Sequence, residues 1–184
     1  FFNPPRYMRL LETVAGPETR PDALQAVRAF ADVALGKTVI ACKDTPGFIG
    51  NRIGIFWVQA AITAAIETGI AVEDADAVLG RPMGIPKTGV FGLLDLVGID
   101  LTPHVVASMV ASLPKGDALH GVLGDPSLIK RMIAEGLTGR KGKGGFYRLD
   151  RTGGAKTKLA IDLKTGQYRP QRKADLESLD ALKA

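Results

Sequence analysis

The sequence predicts a mainly helical protein that opens with a short strand, helix and strand and carries a small β hairpin near its end. Three observations predict this class. Apolar residues recur at helical spacing through most of residues 47–136. The stretch "KTVIAC" (37–42) is short and β-branched, as strands are. Finally, "KLAIDLKTGQYRP" (158–170) sets two strand-like arms around a turn at Lys164 to Gly166.

Each element follows from local chemistry. Tyr7 to Val14 reads as a strand, and "GPETRP" then turns the chain into a helix from about Pro21 to Leu35. Its apolar residues Leu24, Val27, Phe30, Ala31 and Ala34 lie near helical spacing, and Gly36 ends it. A strand at 37–42 completes what looks like the closing piece of an α/β sheet. In "KDTPGFIGNRIGIFWVQAAITAAIETGI", Thr45 suits an N-cap and Pro46 the first helical position. The helix expected from Gly47 to Gly69 is apolar nearly all round, which marks it as central and buried or as part of a subunit interface.

Shorter elements follow. "VEDADAVLG" forms a helix closed by Gly80, and "RPMGIPKTG" is a loop because of its Gly and Pro content. Helices are expected at Val90 to Leu96 and Thr102 to Leu113, and a third between an Asp125 N-cap with Pro126 and a terminal Gly136. "LTGRKGKGGFYRL" is a glycine and lysine loop leading into a strand at Phe146 to Leu149. "KADLESLDALKA" gives a weak amphipathic helix, so residues 150–184 read as an appendage or linker.

Composition narrows the function. The chain has 184 residues, 46% of them apolar, which is enough for a real core. No apolar run reaches the roughly 20 residues of a membrane span. No basic and apolar leader marks a secretory signal. A single cysteine, Cys42, can form no internal disulfide and provides no cysteine-based metal site, so the expected compartment is the cytoplasm and no metal is expected. The net charge of +5 comes largely from the last quarter, Arg140 to Lys173. That stretch reads as a solvated face or a contact for a phosphorylated small molecule. Its few scattered aromatics do not make a nucleic-acid surface.

Four segments carry a resemblance. "FFNPPRYMRLLE", "CKDTPGFIGNR", "RPMGIPKTGVFGLLDLVGID" and "GRKGKGGFY" together resemble the 3-hydroxyacyl-CoA dehydrogenase family of fatty-acid β-oxidation, in that family's order and spacing, up to about Leu149. The resemblance implies a chain in three parts. Residues 1–43 would be the closing strand–helix–strand remnant of an NAD-binding Rossmann domain. Residues 44–149 would be a helical dehydrogenase C-terminal domain of the 6-phosphogluconate dehydrogenase type, serving substrate binding and dimerisation, and 150–184 an appendage or linker. It implies NAD as cofactor, bound mainly by the missing Rossmann domain, a 3-hydroxyacyl-CoA substrate and a homodimer. The family's catalytic histidine directly precedes "FFNP", so the sequence reads as a fragment of a multifunctional β-oxidation protein, inactive alone.

Carried over residue by residue, Glu12 matches the carboxylate that orients the histidine, and Asn51 the active-site asparagine. Lys141 matches a lysine reaching the cofactor. Asn3, Met83 and Phe91 are the candidates for substrate contact, each set against a structural role: a turn for Asn3, core packing for the other two. His104 and His120 fall outside every matching motif and read as structural. Two other classes stay open on the residues alone: a non-catalytic helical dimerisation module, and the second domain of a sugar-acid dehydrogenase. Glu12 and Asn51 favour the dehydrogenase, because a packing module needs neither.

Overall fold

In the computed structural model, residues 1–151 and 156–180 are described. The fold is mostly helical with short strands, as the sequence predicts, and divides into two compact units, 1–55 and 56–184.

The first unit contains β1 (Leu10–Val14), α1 (Pro21–Val33) and β2 (Thr38–Cys42), followed by the start of α2 (Gly50–Thr68). β1 and β2 pair in parallel, with Leu10 opposite Thr38 and Val14 opposite Cys42, and among the described residues neither strand has a partner on its other edge. The crossover through α1 is what a parallel pair requires. Arg28 of α1 donates Nε to Thr13 Oγ1 at 3.0 Å, and Thr13 in turn donates to Ile40 O at 3.1 Å, which fixes α1 on the strands. Much of α1's apolar side stays open: Val27, Phe30 and Val33 are exposed.

α2 begins three residues later than the expected start at Gly47. Gly47 (φ 76°) and Phe48 (φ 48°) both sit in the left-handed region, so helical geometry cannot run through them from Pro46. Thr45 therefore is not the cap. Its carbonyl accepts from Phe48 N at 3.0 Å in a separate turn.

The second unit takes the rest of α2, then α3 (Val72–Val78), α4 (Phe91–Val97), α5 (Leu101–Ser112), α6 (Ser127–Ala134) and α7 (Glu177–Asp180). Its antiparallel sheet has the order β3 (Tyr147–Asp150), β4 (Thr157–Ile161), β5 (Tyr168–Pro170). A short 3-10 turn, Arg81–Met83, interrupts the expected loop. Val58, Ala61, Ile62 and Ala65 of α2 pack with Val72, Phe91, Leu94, Ile99, Met132 and Phe146 in one core.

Residues beyond 149, expected as an appendage or linker, take part in that core. Ala160, Ile161 and Leu163 are buried in it. Arg169 makes a two-pronged bond to Glu73 of α3 (2.7 and 2.6 Å), while Arg172 pairs with Asp74. The expected weak helix at 173–184 is seen only as α7, and residues 181–184 lie outside the described residues.

Candidate functional site

Glu12 is the third residue of β1, opposite Ile40 of β2. Its Oε1 accepts from Ile49 N at 2.9 Å and from Gly50 N at 2.7 Å. Helix N-termini present unpaired N–H groups and a partial positive charge, and a carboxylate answers both. The cap on α2 thus comes from a strand 38 residues earlier. Neither amide uses Oε2.

The rest of the first unit's cluster gathers around the same helix start. Asn51, the second residue of α2, is exposed and directly follows the amide that Glu12 holds. A Cβ at Gly50 would lie 2.4 Å from the Phe2 ring, so the glycine is what lets that ring rest on the start of α2. Asn3 follows Phe2 and is exposed, just before a turn in which Pro4 O accepts from Tyr7 N and Met8 N. Burial and the neighbouring Glu12 charge push the Cys42 thiol up, against a bond to Ile49 that lowers it.

In the second unit Lys141 is exposed, on the loop that joins Leu137 to Phe146. Met83 is exposed in its 3-10 turn. Phe91 is different. It has no exposed surface and packs edge-to-face on Phe146, with ring centroids 4.7 Å apart, so the expected substrate contact gives way to core packing. His104 is exposed on α5, and His120 Nε2 lies 3.1 Å from Pro114 O. An apolar cleft of about 420 Å³ between α2, α5 and α6, lined by Ile62, Ile66, Ile99, Val106 and Ile129, has a lining suited to an aliphatic chain.

Sequence reasoning missed a set of buried acids. Asp76 accepts from Phe91 N (2.7 Å), Gly92 N (3.0 Å) and the Tyr147 hydroxyl (2.7 Å). Asp95 accepts from Phe146 N and Tyr147 N, both at 2.8 Å. Burial pushes both carboxyls up, Asp95 to about 6, although these bonds favour the charged form. Burial also raises Glu73, but the Arg169 guanidinium and the Arg172 amide outweigh it and hold the carboxyl below its ordinary value. The available signal was acids among apolar residues in two short helical stretches, Asp74 and Asp76 in "DADAVLG" and the lone Asp95 in "LLDLVG".

A parallel strand–helix–strand segment hands a carboxylate to the first turn of a long apolar helix, ahead of a mostly helical unit, an α/β segment joined to a helical one. The family model for the 3-hydroxyacyl-CoA dehydrogenase C-terminal domain matches residues 47–149, and that for the family's NAD binding domain matches residues 1–45. The chain belongs to the 3-hydroxyacyl-CoA dehydrogenase family. A Rickettsia prowazekii protein named for a fatty acid oxidation complex trifunctional enzyme is 40% identical over 96% of this chain and 24% of its own length. Among solved structures, M. tuberculosis FadB2 (33% identity, TM-score 0.68) covers 80% of this chain and 50% of its own. The (S)-3-hydroxybutyryl-CoA dehydrogenase PaaH1 of Ralstonia eutropha (30%, TM-score 0.64) covers 77% and 47%. The chain therefore spans about a quarter of the length of its first curated relatives and about half of these solved chains.

Proposed function

We propose that this chain is the later part of an NAD-dependent 3-hydroxyacyl-CoA dehydrogenase, which oxidises a 3-hydroxyacyl-CoA to the 3-oxoacyl-CoA in fatty-acid β-oxidation. The observation that carries the reading is Glu12, held by two amides at the start of α2 with Oε2 outside both bonds. A carboxylate so held cannot swing away. Its second oxygen is suited to accept the N–H of an imidazole, fix its tautomer and stabilise the imidazolium. The histidine that the family places directly before Phe1 would stand two residues from Phe2, whose ring lies against Gly50.

NAD, when bound, supplies the acceptor for the hydride leaving the 3-carbon. The chain's own share in holding it is small. β1 enters α1 through "AGPETR", which has one glycine and no glycine-rich phosphate cradle. Exposed Lys141 is the residue that would reach the cofactor. Asn51 orients the base or a substrate oxygen, and Met83 and Asn3 remain at the surface as substrate contacts. We assign residues 1–43 to the NAD-binding domain and 44–149 to the substrate-binding and dimerisation domain. The active form is a cytoplasmic homodimer.

NAD reduction with a 3-hydroxyacyl-CoA tests the reading. The 184-residue chain alone should give none, and the full-length enzyme with its NAD-binding domain should give turnover. Activity in the chain alone would mean the site is misplaced. A full-length enzyme inert toward every 3-hydroxyacyl-CoA would overturn the reaction.

A further inference from the structure

The loop bearing Lys141 is anchored from one place. Asp95 O accepts from Arg140 N at 2.8 Å on the loop's entry side, and the Asp95 carboxylate takes Phe146 N and Tyr147 N on its exit side. Gly139, just before the entry anchor, and Gly144, just before the exit anchors, form an isolated bridge, with Gly139 N donating to Gly144 O at 2.8 Å. The glycines of "GRKGKGG" follow from this closeness. A Cβ at Gly139 would lie 2.5 Å from Asp95 O, and one at Gly145 would lie 1.9 Å from Asp95 Oδ1. One buried residue of α4 thus meets both ends of a loop whose middle, Lys141, is exposed.

We propose that Asp95 is the positioning residue of the Lys141 loop, fixing where that lysine stands by holding the loop's two ends. The proposal rests on the reading of Lys141 as the cofactor-reaching residue. It adds the residue that acts through it, an aspartate within "RPMGIPKTGVFGLLDLVGID" to which the sequence assigned no role.

The groups facing Asp95 decide how its charge acts. Asp76 of α3 repels it, Arg140 of the loop attracts it, and Tyr147 of β3 is bonded to Asp76. Lys87, Lys158 of β4, Arg172 and Lys173 line the same cleft, as does Glu73, which is already bonded to Arg169. In the closed loop the Asp95 carboxyl lies near 6, above its ordinary 3.8, chiefly through burial. Opening the loop wets the carboxyl and returns it to the ordinary value. The closed state therefore binds the extra proton, and the loop is held more firmly at pH 5 than at pH 7.5.

Hydrogen exchange on the 184-residue chain tests this, read as protection factors, which remove the intrinsic pH dependence. Protection of the Phe146 and Tyr147 amides should fall roughly 10-fold between pH 5 and pH 7.5. Asp95→Ala should lower protection at both pH values and abolish the pH step. Tyr147→Phe removes only the phenol bond to Asp76 and should leave both amides protected. Unprotected Phe146 and Tyr147 amides in the wild type, a measurement that requires no variant to fold, would overturn the proposal, as would an Asp95→Ala chain with intact protection. In the full-length enzyme, Asp95→Ala and Lys141→Ala should raise KM for NAD by the same factor with less effect on kcat, and the double variant should be no worse than either. If Lys141→Ala leaves KM for NAD unchanged, the cofactor reading of Lys141 fails, and the amide exchange still decides whether Asp95 anchors the loop.

Discussion

Glu12→Gln separates the two roles that the Glu12 carboxylate holds. Gln keeps an oxygen where Oε1 stands, so Ile49 N and Gly50 N both keep an acceptor. What is lost is charge. Hydrogen bonds to charged groups are worth roughly 1.5–3 kcal/mol against about 1 for neutral ones, and an anion at a helix N-terminus adds roughly 0.3–1 kcal/mol. The structural cost is therefore about 1–2 kcal/mol, a fall in Tm of roughly 2–8 °C for a protein of this size. The catalytic cost is expected to be far larger. A neutral partner cannot stabilise the imidazolium that forms as the hydroxyl proton leaves, so kcat should drop roughly 10²- to 10⁴-fold at neutral pH, while acyl-CoA binding changes little. The assay is steady-state NAD reduction by the full-length enzyme at 25 °C, paired with a thermal melt of the same sample. A variant with the modest melt shift and near-normal kcat would make Glu12 a helix cap only, and the mechanism assigned to it would fall.

Phe91→Ala should cost about 3–5 kcal/mol in denaturant unfolding, because the ring is fully buried; a raised KM for acyl-CoA with stability intact would restore its substrate role. Arg169→Ala leaves the buried Glu73 charge without its ion-pair partner, held only by the Arg172 amide, and should destabilise the chain by about 3 kcal/mol at pH 7. Because the Glu73 carboxyl is held below its ordinary 4.5, that stabilisation is present above this value and is lost as pH falls through the lowered one, so the gap between variant and wild type should close in acid. Light scattering should give a dimeric mass, and Ile53→Lys, at an exposed apolar position in the first turn of α2, should return a monomer; a monomeric wild type at high concentration would remove the dimer.

The parts of the fold that depend on local pattern were readable. α1, β2 and the hairpin β4–β5 follow from helical spacing, β-branching and turn residues, while β1 starts at Leu10 rather than Tyr7 and α6 starts at Ser127, with Pro126 rather than Asp125 at the N-cap position. The start of α2 was not readable. "TPGFIG" carries every sign of an N-terminus at Thr45, yet the cap is Glu12, a long-range partner whose identity no spacing within the helix reveals. The same limit hid the acids: the pattern of α3 reads as an amphipathic helix with a solvated acidic face and that of α4 as an apolar helix with one polar interruption, and neither shows the amides that Asp76 and Asp95 accept from. It also hid the last 30 or so residues, because charges such as Arg169 read as solvated until Glu73 and Asp74 are seen across from them. At the candidate site, only the family resemblance pointed to Glu12 and Asn51. The structure adds that Glu12 and the residue before Asn51 share a hydrogen bond.

The unpaired edges of the β1–β2 sheet have a consequence for handling the chain. A two-stranded parallel sheet is marginal by itself, and parallel strands are normally covered on both faces. Here each strand offers a free row of N–H and C=O groups, beside an α1 whose apolar side is open and a cleft of about 690 Å³ lined partly by Arg9, Arg28 and Lys37. Such an edge is a template for strand addition. Copies of the chain by itself can add strand to strand along this edge, which raises the mass read by light scattering above the dimer at the highest concentrations. On the proposed reading, that edge is where further strands of the NAD-binding domain would join, so supplying them in trans should lower this self-association.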